Sequence, residues 1–293
     1  MSTLRIRHRT RYLYDGPVAL GQHRLMLRPR DGHDMRILDS RLAVSPRADV
    51  EWAYDTFGNS VARLTFQGTT QELVIASELL LRRYAYDEPL CRIARHAGPY
   101  PPRYGSDELI DLAAVRAIDR PEAARSLETW IAAALPELPG ESVEVLDALC
   151  EAIHRAFAYQ RREEKGVQSP SETIAAGSGT CRDFAFLFME AARALGFAAR
   201  FVTGYLYDPG AEASDGQGMT GGGATHAWAD VFLPGAGWVE FDPTNRIVAH
   251  RNLVRVATTR TPTQALPVSG TFRSLDNASF ISMDVSVDVL REE

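Results

Sequence analysis

The sequence predicts an α+β protein in which a mixed core follows an all-β, sandwich-like domain. Over residues 1–95, apolar side chains alternate with polar ones at the period of two that is typical of half-buried strands. A segment rich in proline and glycine follows at 96–106, and beyond it the period becomes first helical and then again that of strands. We therefore divide the chain into a β domain, 1–95, and a core, 96–293, that ends in C-terminal β-strands.

The N-terminal region begins with a strand in which Leu4, Ile6 and His8 alternate with arginines. Similar alternation recurs in ILDSRLAVSP, ADVEWAYDTFGNSVARLTF and QELVIASELLLRRY, separated by Asp-Gly, Gly-Asn and Gly-Thr turn signals. Several short strands at this spacing predict a small β-sandwich.

The helices come next along the chain. Acidic residues at 107–108 start a helix over about 106–118, Pro121 starts a second to about 135, and apolar residues spaced along 142–157 predict a third. A short helix ends at Gly177, and the apolar segment 181–196 is a helix that ends at Gly196.

The final third of the chain is predicted to be an antiparallel sheet. AARFVTGYLY, THAWADVFLP, GWVEFDPTN and the terminal FISMDVSVDVL have the composition and alternation of strands. Helices that precede an antiparallel sheet indicate the α+β class.

Composition excludes several function classes. The 293 residues carry 32 Lys and Arg against 38 Asp and Glu, so a net charge of −6 gives no reason to expect binding to nucleic acid or to a membrane surface. The chain has no apolar segment long enough for a membrane span, and its start lacks a signal-peptide core. The widely spaced Cys91, Cys150 and Cys181 do not form a disulfide framework, and we expect a cytoplasmic protein with reduced thiols. The oligomeric state is not indicated.

Cys181 is the candidate nucleophile. It follows Gly179 and Thr180 at the predicted start of a helix, where Thr180 and Asp183 have the spacing of a capping box. The helix dipole and the free N–H groups of a first turn favour a thiolate, which is the nucleophilic form of cysteine. The same N–H groups can stabilise a developing oxyanion. A cysteine that only fills the core, as we expect of Cys150, is the alternative.

His226 and Asp242 are the candidate partners of this cysteine. His226 begins a strand directly after the glycine-rich loop 208–223, and Asp242 ends the next strand, where Pro243 stops it. Antiparallel pairing would bring the carboxylate beside the imidazole, where it can fix the tautomer and support the imidazolium.

The segments GTCRDFAFLFMEAARALGFAARFVTGYL and THAWADVFLPGAGWVEFDPTN, with the order Cys, His, Asp, resemble the bacterial transglutaminase-like superfamily. The resemblance implies a papain-like transglutaminase core, with helices packed on an antiparallel sheet, and an N-terminal β domain. It implies that Cys181 is the nucleophile, His226 the acid and base, and Asp242 the residue that orients the histidine. Animal transglutaminases use an upstream tryptophan as an oxyanion donor; here Tyr159 is a possible substitute, and Trp228 could line the site.

The sequence therefore predicts a cysteine-dependent enzyme that cleaves amide bonds of peptides or proteins through a thioester, as a cysteine peptidase or amidase. A protein-glutamine transglutaminase that uses an amine acceptor and a non-catalytic peptide-binding scaffold remain alternatives. A zinc site formed by the same three residues is a further one, although only three ligands converge. We expect no cofactor and no metal, and the loop 208–223 is either a lid or an idle flexible segment.

Overall fold

The computed structural model describes residues 2–84, 95, 97–120, 124–161, 166–212, 219–220, 223–249, 252–275 and 277–292. The strands are β1 (Ser2–Leu25), β2 (Met35–Ser45), β3 (Ala48–Tyr54), β4 (Ser60–Phe66), β5 (Thr70–Arg83), β6 (Ala158–Tyr159), β7 (Ser178–Gly179), β8 (Ala198–Leu206), β9 (His226–Leu233), β10 (Gly237–Asp242), β11 (Ile247–Val248), β12 (Leu253–Thr259), β13 (Val268–Ser274) and β14 (Phe280–Glu292). The helices are α1 (Ser106–Asp111), α2 (Ala113–Arg116), α3 (Ala124–Ala134), α4 (Ser142–Ala156), α5 (Pro170–Ala176), α6 (Cys181–Ala194) and α7 (Pro209–Glu212), with a 3₁₀ turn at Pro262–Gln264.

The N-terminal sheet is organised around β1, which is long enough to belong to two groups of strands. Its first half pairs with β5 and β14, and its second half pairs with β4 and β13. Register shifts after Leu13 and after Leu20 mark where the strand changes partners. Val18 of β1 and Ile75 of β5 belong to one buried apolar cluster, which joins the two groups of strands in this β-rich region.

The two last strands belong to this N-terminal sheet, and the prediction that placed them with the core was wrong. β14 pairs antiparallel with β1 from Thr3↔Glu292 to Tyr14↔Phe280, and β13 pairs with β1 from Val18 to Leu25. The physical reason is that each half of β1 can form hydrogen bonds with a strand on either side. On one side, β5 pairs with the first half and β4 with the second half. The other side would be an open strand edge. The returning chain covers it.

The core sheet is antiparallel in the order β11-β10-β9-β8-β12. One face packs on α6, whose apolar side chains lie against Ala227, Ala229 and Val231 of β9. Almost the whole of α6 is buried, which explains why its sequence is apolar on every side. Strands alternate faces, so Trp228 and Asp230 lie on the other face of β9, while His226 is at the end of the strand that is nearest Cys181.

The second face of the core sheet packs against the N-terminal sheet. Leu4, Ile6 and Leu81 of the N-terminal sheet form one apolar cluster with Tyr205 and Val254 of the core. The two parts of the chain are therefore joined by a continuous buried interface.

Helices that precede α6 in the sequence pack against it. The predicted helix over 106–118 is instead two short helices, because the chain turns at Leu112, with φ −93° and ψ 0°. α5 begins at a capping residue, Ser169, which accepts a hydrogen bond from the Glu172 N–H, and ends at Gly177 in the left-handed conformation, φ 65°. Among the described residues, no helix is both long and apolar enough to cross a membrane.

Candidate active site

Cys181 is the first residue of α6, as predicted, and the residues around it fix this helix start. The Asp183 carboxylate accepts hydrogen bonds from the Thr180 backbone N–H and hydroxyl, both at 2.8 Å, through one oxygen. Its other oxygen accepts the Gln168 N–H at 2.7 Å. The Cys181 side chain is therefore held where the unpaired N–H groups of the first turn lie, and it is 6% exposed.

His226 and Asp242 form a buried pair. The His226 Nε2 atom lies 2.7 Å from Asp242 Oδ2, and both side chains are fully buried. They come from neighbouring strands, since β9 and β10 pair in the register Phe241↔Ala229. The antiparallel pairing expected from the sequence therefore brings these two side chains together.

Asp242 is held by hydrogen bonds from the turn that follows it. Its Oδ1 accepts the Thr244 N–H at 2.9 Å, and its Oδ2 also accepts a hydrogen bond from Asn245 Nδ2 at 3.0 Å. Burial alone would raise the pKa of Asp242, but the charge and hydrogen bond of His226, with those of Asn245 and Thr244, hold it below the ordinary value. Asp242 is thus an ionised carboxylate with a fixed orientation.

The imidazole of His226 is affected by both neighbours. Burial lowers its pKa, but the charge and hydrogen bond of Asp242, followed by the hydrogen bond and charge of Cys181, raise the pKa to about 10. Because Nε2 is engaged by Asp242 and the buried Nδ1 has no hydrogen-bond partner among the described residues, Nδ1 is the nitrogen left for the thiol. The order of groups is therefore thiol, imidazole, carboxylate.

The other cysteines differ from Cys181. Cys150 is completely buried on α4, and burial, followed by the charge of Asp242, raises the pKa of its thiol well above the ordinary value. It is the inert packing residue that the sequence suggested. Cys91 lies outside the described residues.

Tyr159 lies beside the segment that leads to Cys181. The two-residue strands β6 and β7 pair in parallel, in the register Tyr159↔Gly179, and the tyrosine ring contacts Phe184 edge-on at 6.4 Å. Burial, followed by the charge of Cys181, raises the pKa of this half-exposed phenol. The hydroxyl therefore stays protonated near neutral pH and is available as a hydrogen-bond donor.

Trp228 packs in the core. Its side chain is completely buried with Val202, Leu206 and Leu253, and its ring centroid lies 6.1 Å from that of His226. Its indole N–H has no partner among the described residues. It supports the histidine from the side and does not line an open surface.

The ends of the glycine-rich loop 208–223 are anchored. Asp208 accepts hydrogen bonds from the Gly210 N–H at 2.9 Å and from the Met219 N–H at 2.5 Å, which joins the two ends. The Met219 side chain packs on the apolar cluster that contains Trp228. Residues 213–218 and 221–222 lie outside the described residues, so whether the loop is a lid stays a prediction.

Three polar residues of this region were not singled out from the sequence. Asn245 and Thr244 donate to Asp242, and Gln168 donates its N–H to Asp183. The tetrapeptide Asp-Pro-Thr-Asn at 242–245 carries a local signal, because an Asp before proline favours a turn in which its side chain accepts backbone N–H groups. Gln168 has no comparable signal.

The zinc site considered as an alternative would need the side chains of Cys181, His226 and Asp242 to converge on one point. Within the part of the chain that the structure describes, no cluster of three or more His, Cys, Asp or Glu side chains has a metal-binding arrangement. The His226 imidazole pairs with Asp242, and the hydrogen bond and charge of Cys181 also act on it.

Comparison with known proteins identifies the family of this chain. Residues 4–82 match the family described as bacterial transglutaminase-like N-terminal region, and residues 122–243 match the transglutaminase-like superfamily core, which includes all three candidate residues. The chain belongs to the transglutaminase-like superfamily. The uncharacterized protein Rv2569c of Mycobacterium tuberculosis is 30% identical over 98% of this chain and 92% of its own length. The uncharacterized protein ML0607 of Mycobacterium leprae is 23% identical over 99% of this chain and 99% of its own length.

The fold is also found in a solved structure. A crystal structure of a proposed cysteine protease from Cytophaga hutchinsonii matches with a TM-score of 0.75 and 21% identity, covering 100% of this chain and 92% of that one. The likeness extends over both parts of the chain, so the transglutaminase-like fold with a β-rich N-terminal region is confirmed. Membership of the superfamily supports a cysteine-dependent enzyme.

Proposed function

We propose that this protein is a cysteine peptidase or amidase that cleaves amide bonds of peptides or proteins through a thioester intermediate. The observation that carries the proposal is the buried His226–Asp242 pair at 2.7 Å, next to a cysteine at a helix N-terminus. The description of the Cytophaga relative as a proposed cysteine protease is in keeping with it.

In the first half-reaction, the thiolate of Cys181 attacks the amide carbonyl carbon and forms a C–S bond. The oxyanion is stabilised by the Cys181 backbone N–H, with the Tyr159 hydroxyl as the proposed second donor. As the C–N bond breaks, the His226 imidazolium gives its proton to the leaving amine. Asp242 stabilises the imidazolium before this step and fixes the ring afterwards.

In the second half-reaction, water attacks the thioester carbon. His226, now neutral, takes the proton of that water, a C–O bond forms and the C–S bond breaks. The carboxylic acid leaves, and the thiolate and imidazolium are restored. An amine in place of water would give a transamidation product, so the identity of the acceptor separates a peptidase from a transglutaminase.

The test is to trap the acyl-enzyme. The protein is incubated with a peptide library and analysed by mass spectrometry of the intact chain, with and without an added primary amine. We expect a mass increase on the wild-type protein, a modified peptide that contains Cys181, and release as the free acid in both samples. Release as the amide when amine is present would assign a transglutaminase.

Matched variants identify the nucleophile. Cys181→Ala should abolish the adduct, whereas Cys150→Ala and Cys91→Ala should keep it. Equal labelling of all three variants, or a Cys181 that reacts no faster than an unfolded cysteine, would instead favour a non-catalytic scaffold.

A further inference from the structure

Asn245 lies at the junction between the His226–Asp242 pair and the glycine-rich loop. Its Nδ2 donates to Asp242 Oδ2 at 3.0 Å, the same oxygen that His226 Nε2 contacts at 2.7 Å. The Asn245 amide also makes two hydrogen bonds with the backbone of Thr220: Nδ2 donates to the carbonyl at 3.1 Å, and Oδ1 accepts the N–H at 2.9 Å. One side chain therefore connects the carboxylate to residue 220 of the loop.

The turn that carries Asn245 is held from the other side by α4. The Thr244 carbonyl accepts a hydrogen bond from His154 Nδ1 at 3.0 Å, and Arg246, with φ 53°, forms an ion pair with Glu151. The carbonyl group before Asn245 and the side chain of the residue after it are thus both bonded to a helix. The Asn245 amide can therefore constrain the carboxylate instead of following it.

The loop segment that Asn245 contacts is also anchored. Met219, next to Thr220, packs on the cluster of Val202, Trp228 and Leu253, and its N–H is held by Asp208. The segment 219–220 is therefore held between the apolar cluster that contains Trp228 and the Asn245 amide.

We propose that Asn245 is a positioning residue, which aims the Asp242 carboxylate at His226 and couples its orientation to the position of the loop at Thr220. This rests on the proposed function of Cys181, His226 and Asp242. A carboxylate oxygen that accepts from both an amide and an imidazole has little freedom to rotate away. Loss of a hydrogen bond to a charged group in such a site corresponds to about a tenfold to hundredfold loss of rate.

The chain contains a control with the same bonding pattern. Asn59 Nδ2 donates to Asp55 Oδ2 at 2.9 Å and to the Thr258 carbonyl at 2.6 Å, while its Oδ1 accepts the Thr258 N–H at 2.9 Å. Asn59 lies in the N-terminal domain, and within the part of the chain that the structure describes Asp55 has no histidine partner. Asn59→Ala therefore removes three hydrogen bonds that correspond to those of Asn245. It leaves the His226–Asp242 pair unchanged.

The first measurement is the rate of alkylation of Cys181 by iodoacetamide between pH 4 and 10, read from the mass of the Cys181 peptide. In Asn245→Ala we expect a rate about ten to a hundred times lower at pH 6, with the acid limb shifted to higher pH, because a less well supported imidazolium returns its proton to the thiolate. In Asn59→Ala we expect a lower melting temperature and an unchanged pH profile. Equal profiles in wild type and Asn245→Ala would overturn the proposal.

Two further variants separate positioning from stability. In the Asp242→Asn background, Asn245→Ala should have no additional effect on alkylation, because the group that it positions is gone. Additive effects would show that Asn245 acts elsewhere. Thr220→Pro removes the loop N–H that Asn245 Oδ1 accepts and also fixes φ at residue 220. It should reproduce part of the loss seen in Asn245→Ala if the loop is coupled, and none of it if it is not.

The last measurement does not depend on catalysis. The His226 Nε2–H resonance and its titration are followed by NMR with ¹⁵N-labelled histidine. A shift in Asn245→Ala but not in Asn59→Ala supports positioning even if no acyl-enzyme is ever trapped. If the acyl-enzyme forms normally in wild type while the resonance and the rates are unaffected in Asn245→Ala, the positioning role is wrong and the proposed function stands.

Discussion

Asp242→Asn tests the electrostatic basis of the site with a change that keeps the shape of the side chain. The substitution removes the carboxylate charge, which is the largest influence that raises the pKa of His226 against the effect of burial. Burial remains, because both side chains are completely inside the protein. We therefore expect the pKa of His226 to fall from about 10 to its ordinary value of 6.5 or lower.

The size of the effect follows from this difference. A change from about 10 to 6.5 is 10 − 6.5 = 3.5 pH units, on the order of 5 kcal/mol in favour of the imidazolium. Since the pKa of His226 is raised on folding, the stability that it contributes is complete below about pH 6.5 and is lost as the pH rises through about 10. Asp242→Asn should thus be less stable than wild type at pH 7, and the difference should disappear above about pH 10.

The assay combines urea unfolding with iodoacetamide alkylation of Cys181 across pH 5–11. Without an imidazolium, the thiol should behave as an ordinary cysteine, of which only about 3% is thiolate at pH 7, so we expect about a thirtyfold lower rate there. The rate should recover towards pH 9. Asp230→Asn is the control, because Asp230 is a buried carboxylate of β9 that pairs with Arg200 at 2.9 Å instead of with a histidine. If Asp242→Asn and wild type share one pH profile, the imidazolium–thiolate explanation is refuted.

Three further predictions concern other parts of the molecule. Burial lowers the pKa of His8 to about 4, so the protein should lose stability as the pH falls from 6.5 towards 4, and urea unfolding of His8→Gln should show a weaker dependence on pH in that range. Gly204→Ala would place a Cβ 2.1 Å from the Val254 carbonyl oxygen and 2.7 Å from the Trp228 ring, so its free energy of unfolding should fall by about 3 kcal/mol or more in a denaturant titration. Tyr159→Phe should slow acylation by a peptide about a hundredfold and leave iodoacetamide alkylation unchanged, because alkylation has no oxyanion; equal losses in both assays would exclude the donor role.

The positions of the three candidate residues could be predicted because each lies at the end of an element with a local signal. Gly179 and Thr180 mark the helix start before Cys181, and Pro243 marks the strand end at Asp242. The structure confirms these ends and adds the register between β9 and β10. Long-range pairing was predictable here because the two strands are consecutive along the chain.

The place of the last two strands could not be predicted in the same way. The alternation in Phe280–Glu292 shows that one face is more buried than the other, but it is equally suited to any sheet edge. β14 is adjacent in sequence to the core and pairs with β1, at the other end of the chain. The deciding factor is the open edge of β1, which only the assembled N-terminal sheet defines.

The two asparagines with the same bonding pattern show what a local motif can and cannot indicate. Asp55 and Asn59, like Asp242 and Asn245, form a turn in which an aspartate is held by a backbone N–H and by an asparagine amide. In the first turn, the next nearest charged group to the aspartate is Arg24, at 3.5 Å, so the carboxylate is structural. In the second it is His226, and the same type of turn then holds a carboxylate that pairs with a buried histidine. The function of such a turn is therefore decided by the third partner of the carboxylate, which comes from another strand and not from the turn itself.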